Sequence, residues 1–370
     1  MTHVLSLVSY QFLPARVGGQ KGIALFNKFF SRHLKLTCIT TKSNDAAAAE
    51  GYEVLNILSN SSFRYINPSY FFTLKKLIRK RNITHLLLEH PYYGWLAVML
   101  KWTTRVKLIV HSHNTEGLRW KTLGKWWWKI LWYYEKWVHR QADYNFFIQD
   151  NDRNYALEHF SLSPASCITV TYGIEWDKPP SAEEKRSAKQ LLQEQHDIPP
   201  NDTLLLFNGA FDYLPNLNGL KRILDDIAPQ LQQKEHFSFT IMICGRNIPA
   251  DITSKKYPQV VFAGFVDDIS VYFKGCDIFL NPVTEGGGIK TKLVEALGHN
   301  MNAVSCQNGS AGVDSSICNG KLMITDDDLK SFPDAIVEMA GEKALIPQEF
   351  FDHFYWKNIT EKAAAFIQQQ

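Results

Sequence analysis

The hydrophobic residues of this chain form short apolar runs separated by longer amphipathic stretches. In the first half the runs cover residues 3–9, 34–41, 83–89 and 106–110, and each has the length of a buried strand. The intervening stretches, such as residues 22–33, have helical spacing. This alternation is typical of a parallel sheet covered by helices.

A second series of apolar runs begins at residue 203. It recurs at residues 237–244, 260–263, 277–281, 302–306 and 321–324. Between the two series, the strand-like run 168–174 passes into a charged, proline-bearing stretch, residues 175–194, which is the best place for a domain boundary. A chain of 370 residues is long enough for two cores. We therefore predict an α/β protein with two doubly wound parallel-sheet domains, residues 1–174 and 175–349.

The run 277–281 leads into three consecutive glycines, Gly286, Gly287 and Gly288, and then into an amphipathic helix. A helix N-terminus offers unpaired N–H groups, and glycines let a phosphate approach the backbone closely. The pattern predicts a diphosphate site. A tight structural turn of an α/β fold is the alternative.

The region after the first strand does not match a dinucleotide-binding fingerprint. That fingerprint needs glycines directly after the strand and an acidic residue at the end of the second strand. Here Gly18 and Gly19 come about nine residues late, and the second run ends in Thr40, Thr41 and Lys42. A nicotinamide-dependent dehydrogenase is therefore disfavoured.

Polar residues follow two strands of the first half. His113 and Asn114 come after the run 106–110, and His90 and Tyr92 after the run 83–89. Residues at the carboxyl ends of parallel strands line the usual ligand crevice. His113 is a candidate base, orienting donor or phosphate contact, and a purely structural hydrogen-bonded histidine is the alternative.

Tryptophans and lysines are concentrated in residues 120–140, which we predict to form one amphipathic helix. Helices rich in Trp and Lys can lie in a membrane interface, where lysines reach anionic headgroups. The alternative is a helix that packs on the sheet through its rings and leaves its lysines in solvent.

Composition narrows the class of protein. Forty Lys and Arg against 37 Asp and Glu give a net charge of +3, so bulk charge does not indicate a nucleic-acid partner. The six cysteines are scattered without zinc spacing, which fits buried thiols in a reducing cytosol. No apolar run is long enough to span a bilayer. We expect a soluble, cytoplasmic protein without a metal, which would lie peripherally on the inner membrane face if residues 120–140 contact a membrane.

Taken together, the motifs resemble the family 4 glycosyltransferases of the GT-B fold. The resemblance covers essentially the whole chain and rests on Gly18-Gly19, His113-Asn114 and residues 208–216 and 281–295. It implies two Rossmann-like domains that face each other across a cleft, with a closing helix, residues about 350–370, that crosses back onto the N-terminal domain.

The resemblance also implies an activity: transfer of a sugar, with retention, from a UDP- or GDP-linked donor to a hydroxyl of a glycan or lipid-linked acceptor. Such an enzyme acts in polysaccharide or glycoconjugate assembly and needs no metal or other cofactor. Two alternatives stay open. One is a nucleotide-sugar epimerase or hydrolase of the same fold, and the other is a non-catalytic, glycan-binding GT-B subunit.

By position, the resemblance assigns His113 and Glu285 to catalysis, and His90, Tyr92 and Asn114 to the acceptor side. Glu295 matches the glutamate that binds the ribose. The residues implied in donor binding are Gly18, Gly19, Gly209, Arg246, Gly264, Phe265, Val266, Gly286, Gly287, Gly288, Ile289, Lys290, Thr291 and Glu295.

Two departures from the family pattern affect these roles. The family places a second glutamate ahead of Glu295 with seven residues between the two, a position that Gly287 occupies here, and Glu285 lies two residues too early. The loop after Gly209 also lacks the usual phosphate-binding cations, for which Lys290 and Arg246 are the substitutes. On a regular helix Lys290 and Lys292 would lie on different faces, and Lys292 would pair with Glu295.

Overall fold

A computed structural model describes residues 2–16 and 18–369. The chain divides into two compact units. The first contains Met1–Glu175 and Phe354–Gln370, and the second contains Trp176–His353.

Each unit is built on one sheet. The strands are β1 (His3–Val8), β2 (Lys35–Thr41), β3 (Glu53–Leu58), β4 (His85–Glu89), β5 (Lys107–Ser112), β6 (Tyr144–Phe147), β7 (Cys167–Thr169), β8 (Thr203–Ala210), β9 (Phe239–Arg246), β10 (Val260–Gly264), β11 (Ile278–Asn281), β12 (Asn302–Cys306) and β13 (Leu322–Thr325).

Helices cover both sheets. They are α1 (Gly18–Phe30), α2 (Ser69–Arg81), α3 (Gly94–Thr104), α4 (Glu116–Thr122), α5 (Trp128–Gln141), α6 (Asp150–His159), α7 (Ala182–Gln195), α8 (Leu214–Arg222), α9 (Ala228–Gln232), α10 (Ala250–Thr253), α11 (Ile269–Gly275), α12 (Thr291–Gly298), α13 (Phe332–Ala340), α14 (Gln348–Phe354) and α15 (Trp356–Gln368).

The first sheet has the strand order β3-β2-β1-β4-β5-β6-β7, and the second has the order β10-β9-β8-β11-β12-β13. All observed strand pairs are parallel. In both sheets the order reverses beside the first strand of the unit, which is where open α/β sheets bind ligands. The prediction of two doubly wound parallel-sheet domains is confirmed.

The first helix begins earlier than the sequence predicted. Gly18 and Gly19 form the first turn of α1 rather than the loop before it. The hydrophobic pattern missed this turn because the stretch carries no apolar side chain until Ile23, whose side chain is fully buried.

The predicted strand 168–174 is shorter in the structure. The strand β7 ends at Thr169, and Ile174 instead forms an isolated parallel bridge with Tyr355. A Cβ at Gly173 would lie 2.8 Å from the Trp356 ring and 2.9 Å from the Phe354 carbonyl oxygen, so glycine is needed for this close approach. The bridge attaches α15 to the first unit, where it packs on α1.

The Trp- and Lys-rich stretch is two helices instead of one. The helix α4 ends at Thr122 and α5 begins at Trp128, with Gly124 between them at φ +67°. The predicted helix over residues 120–140 is therefore wrong, because a left-handed glycine interrupts the helical hydrogen bonding. Among the described residues, no helix has the length and apolar character needed to cross a membrane.

Candidate functional site

Polar side chains collect at the carboxyl ends of three neighbouring strands in the first unit. Because β1, β4 and β5 are adjacent, the residues that end or follow them meet at one edge of the sheet. Tyr10 follows β1, Glu89 and His90 lie at the end of β4, and His113 follows β5. The structure thus brings together the two predicted histidines, His90 and His113, whose ring centroids are 4.5 Å apart.

Glu89 is the centre of this cluster. Its carboxylate lies 2.6 Å from His113 Nε2 and 3.1 Å from His111 Nδ1. Burial opposes ionisation of Glu89, but the attraction and hydrogen bonds of His111 and His113 outweigh it and hold the pKa of the carboxyl well below its usual range. A carboxylate only accepts hydrogen bonds, so both histidines donate to it. Neutral His113 therefore carries its proton on Nε2 and presents Nδ1 as an acceptor.

His90 belongs to a second carboxylate pair. Its Nδ1 lies 3.2 Å from Glu116 Oε1, and its Nε2 lies 3.2 Å from the Tyr10 hydroxyl. Tyr92 donates its hydroxyl to Glu116 at 2.7 Å. His90 also has φ +70°, a conformation that is unfavourable for a non-glycine residue and is found at functional sites. The predicted acceptor-side residues His90 and Tyr92 are thus joined through Glu116.

The cluster around Glu89 has the spacing of a metal site. Glu89, His111 and His113 place three ligand atoms within 4.8 Å of one another. The hydrogen bonds from both imidazoles to Glu89 account for these short distances. Metal independence is not tested by this geometry and stays a prediction.

Gly18 and Gly19 follow β1 in the chain, and Asn114 follows β5. Gly18 and Gly19 start α1, and a Cβ built on Gly19 would have no atom within 4 Å, which leaves open space above the helix N-terminus. The carbonyl oxygen of Asn114 accepts a hydrogen bond from the Ser112 hydroxyl at 2.7 Å.

In the second unit, two glycines pair at the ends of β8 and β9. Gly209 lies opposite Gly245 in the sheet register. A Cβ on Gly245, at φ +144°, would lie 1.7 Å from the Gly209 carbonyl oxygen. Any side chain there would force the two strands apart, so glycine keeps the carboxyl ends of β8 and β9 in close contact.

The glycine turn is a loop ahead of α12 and not the first turn of that helix. Gly286 and Gly288 both have positive φ, at +85° and +75°. The helix begins at Thr291, with Lys290 as the capping residue. Lys290 folds back to donate its amino group to the Gly286 carbonyl oxygen at 2.7 Å, while Ile289 is buried beside it.

Lys292 points toward Gly209, at the carboxyl end of β8. Its amino group donates to the Asn208 carbonyl oxygen at 2.7 Å, and it lies 3.4 Å from Asn216 Oδ1. Burial lowers the pKa of Lys292 to about 8. The prediction that Lys290 and Lys292 lie on separate faces of one helix is wrong, because Lys290 precedes the helix.

The remaining predicted donor residues lie around this loop and the neighbouring strand ends. Glu295 lies within α12. Its attraction for the Lys292 amine raises the pKa of that amine and so offsets part of the lowering caused by burial. Arg246 ends β9 with its guanidinium 4.0 Å from Asp212, and Gly264 ends β10 at φ +68°. Phe265 is exposed and Val266 half-buried.

Glu285 lies on the exposed part of the loop. Asn218 of α8 donates its side-chain amide to both carboxylate oxygens of Glu285, at 3.1 and 3.2 Å. This contact fixes the carboxylate beside α8, and the catalytic role of Glu285 stays a prediction.

Sequence reasoning missed Glu89, Glu116 and the contacts of Lys292. Glu89 has a visible signal, since it directly precedes His90 at a strand end. Glu116 is the first residue of α4, and its carboxylate lies 3.2 Å from Arg119, three residues later. Its contacts with His90 and Tyr92 join residues more than 20 positions apart, so no local pattern indicates them. Lys292 contacts Asn208, which is 84 residues away in sequence, and no local pattern indicates that contact.

Two family models match this chain. The model described as Glycosyltransferase Family 4 matches residues 25–177, and the model described as Glycosyl transferases group 1 matches residues 202–342. The chain belongs to the family 4 glycosyltransferases. The first model covers most of the histidine cluster of this glycosyltransferase, and the second covers the glycine loop and α12. No curated protein matches the chain by sequence.

Solved structures share the GT-B fold along the full length of this glycosyltransferase. A glycosyltransferase from Rickettsia africae ESF-5 is 14% identical with a TM-score of 0.70, over 100% of this chain and 98% of that one. Sucrose-phosphate synthase from Thermosynechococcus elongatus is 13% identical with a TM-score of 0.73, over 99% and 98%. Anabaena HepE, in complex with UDP, is 14% identical with a TM-score of 0.73 over 100% of both chains.

Proposed function

We propose that this glycosyltransferase moves a sugar, with retention, from a UDP- or GDP-linked donor to a hydroxyl of a glycan or lipid-linked acceptor. The proposal rests on the positions of two lysines in the second unit. Lys290 donates to the Gly286 carbonyl oxygen in the glycine loop, and Lys292 donates to the Asn208 carbonyl oxygen at the carboxyl end of β8. The complexes of Anabaena HepE with UDP and with UDP-glucose support this class of donor.

The chemistry needs stabilisation of a departing diphosphate. The bond from the anomeric carbon to the diphosphate oxygen breaks, and a bond to the acceptor oxygen forms as the acceptor hydroxyl passes its proton to the departing diphosphate. Negative charge develops on the leaving diphosphate, where ammonium groups and backbone N–H groups stabilise it most. Lys290, Lys292 and the backbone of Gly286, Gly287 and Gly288 would supply these groups, without a metal or other cofactor.

The first unit would act on the sugar and the acceptor. His113, with its Nε2 proton held by Glu89, would present Nδ1 as an acceptor to a hydroxyl of the transferred sugar. His90 and Tyr92, both in contact with Glu116, would line the acceptor side. The six cysteines are free and buried, which supports a reducing, cytoplasmic location. There the enzyme would act in polysaccharide or glycoconjugate assembly.

Isothermal titration with UDP and GDP tests the donor class. We expect one nucleotide to bind, and Glu295→Ala to weaken binding by about 1–3 kcal/mol because two hydrogen bonds to the ribose are lost. Glu338→Ala, which removes an exposed carboxylate of α13, is the matched control and should bind normally. Failure of both nucleotides to bind wild type would overturn the proposal.

Product analysis separates transfer from the alternatives. Release of free sugar, or of an epimer, from the donor alone would indicate a hydrolase or an epimerase. Absence of any turnover by purified protein that binds nucleotide would indicate a non-catalytic subunit.

A further inference from the structure

One continuous part of the first unit carries an extreme charge imbalance. Residues 60–142 contain 15 Lys and Arg but only three acidic residues, which leaves 25 Lys and Arg against 34 Asp and Glu in the rest of the chain. The three acids are Glu89, Glu116 and Glu135, and each is at most 1% exposed. Every exposed charge that this segment contributes is therefore positive, although the whole chain is nearly neutral.

The helices of this segment lie on one face of the first sheet. The helix α2 packs on α3, and α3 packs on α5. Buried residues from all three helices, among them Leu74, Leu96 and Val138, join one core cluster with strands β1, β4 and β5. The outer surfaces of α2, α3 and α5 therefore all lie on the same side of the sheet and face away from it.

Large apolar side chains are exposed on these outer surfaces. Trp126, Ile130, Tyr133 and Trp137 recur at helical spacing along α5 and the turn before it, and Trp126 is 84% exposed. The neighbouring helices and the segment before α2 add further exposed residues, which are Phe63, Ile66, Phe72, Met99 and Trp102. We name these nine residues, together with the basic residues of α2, α3 and α5, the outer helix face.

The same helices carry basic residues. The helix α2 carries Lys75, Lys76, Arg79 and Lys80, and its first turn has no acidic residue. Two cations of the segment pair with carboxylates outside it, Arg81 with Glu53 and Lys101 with Asp143. Cations with long aliphatic stems beside exposed aromatic rings fit an interface between hydrocarbon and anionic headgroups.

We propose that the outer helix face binds the surface of a bilayer that contains anionic lipids. Nucleic acid is a second polyanion, but aliphatic side chains such as Ile66 and Ile130 gain nothing from base stacking and do gain from insertion between acyl chains. The sequence left membrane contact of residues 120–140 as one of two alternatives, and the structure extends that surface to α2 and α3. The inference does not rest on glycosyl transfer.

Co-sedimentation with vesicles of defined composition tests this surface. The full-length protein is mixed with phosphatidylcholine vesicles, with and without anionic phosphatidylglycerol, at low and high salt. The charge variant is Lys76→Glu with Lys80→Glu, and its control of equal charge change is Lys255→Glu with Lys256→Glu on the second unit. The apolar variant is Trp126→Ser with Ile130→Ser, and its control is Leu191→Ser with Leu345→Ser.

We expect wild type to bind only the anionic vesicles and to bind less at high salt. At about 1 kcal/mol for each basic residue, loss of two should weaken binding at least about 30-fold. The apolar variant should weaken binding at both salt concentrations because insertion is not screened, and both controls should bind as wild type. All the changed residues are exposed, and a thermal unfolding scan checks that each variant is folded.

Three outcomes would overturn the proposal. Wild type fails to bind anionic vesicles, or wild type and the charge variant bind them equally. In the third, single-stranded RNA releases the protein from the vesicles and the protein binds that RNA more tightly than it binds the vesicles. The last outcome would assign the outer helix face to nucleic acid. Vesicle binding is measured without donor or acceptor, so it can fail while nucleotide titration succeeds.

Discussion

Glu89 accepts a hydrogen bond from His113 Nε2 at 2.6 Å, and both side chains are positioned by the adjacency of β4 and β5. Because the carboxylate is buried and ionised, it fixes the tautomer of the imidazole and the direction of its free nitrogen. We therefore regard Glu89 as a positioning residue for His113.

Glu89→Gln should lower kcat by about 10- to 100-fold, because a charged hydrogen bond of about 1.5–3 kcal/mol is lost and the amide can donate to the wrong nitrogen. Steady-state kinetics measures the change, while nucleotide affinity, which we assign to the second unit, should stay the same. Glu53→Gln removes a surface partner of Arg81 and serves as the control. Unchanged kcat, or an equal loss in the control, would contradict this role.

Nucleotide affinity should decrease as the pH rises through about 8. The pKa of Lys292 is lowered to about 8 by burial, so its ammonium is present below that pH and lost above it. Titration of UDP or GDP between about pH 7.5 and 9.5, where the phosphates keep a constant charge, measures the effect. Lys292→Arg keeps its charge over this range and should remove the dependence. A flat profile for wild type would exclude Lys292 as a diphosphate contact.

Chelation should leave activity unchanged. The imidazoles of His111 and His113 are held by Glu89 through hydrogen bonds, and the proposed diphosphate contacts are lysines and backbone amides. Activity before and after dialysis against EDTA, with metal content measured on the same samples, checks this expectation. A loss that Zn²⁺ or Mn²⁺ restores would instead assign the cluster of Glu89, His111 and His113 to a metal.

The first unit should lose stability in mild acid. His139 is buried, donates to Asn145 at 2.8 Å and has its pKa lowered to about 4 by burial. An unfolded histidine binds a proton below about pH 6.5 and the folded one does not, so this contribution is full above pH 6.5 and is lost as the pH falls toward 4.

The loss from His139 alone amounts to at most about 3 kcal/mol. Thermal unfolding of wild type and His139→Gln at pH 7.5 and 5 measures it, and the variant should show the smaller difference between the two pH values. His159→Gln, at a half-exposed histidine, is the control. Equal acid sensitivity of wild type and His139→Gln would show that His139 is not responsible.

Gly245→Ala should destabilise the second unit by several kcal/mol or abolish its folding. The new Cβ would lie 1.7 Å from the Gly209 carbonyl oxygen, at a φ that L side chains rarely adopt. Gly19→Ala, where a Cβ meets no atom within 4 Å, is the matched control. Thermal unfolding of the two variants should differ strongly, and equal stability would contradict the tight pairing of β8 and β9.

The fold was predictable from sequence because strands of a parallel sheet are buried on both faces and appear as continuous apolar runs. The contacts of the site were less predictable. Glu89 meets His113 only because β4 and β5 are neighbours, and strand order is not encoded in local spacing. The break at Gly124 was missed because the apolar periodicity of residues 120–140 continues across it, while a left-handed glycine decides the backbone.

The attachment of α15 to the first unit also has a consequence for the order of synthesis. Trp356 packs edge-on against Tyr172 and Phe26, so part of this core is supplied by residues translated after the whole second unit. During translation the second unit can fold as soon as it leaves the ribosome, whereas the first must wait with these rings uncovered. Truncation before Trp356 should therefore expose the N-terminal core to chaperones and proteases, although the removed residues lie at the opposite end of the chain.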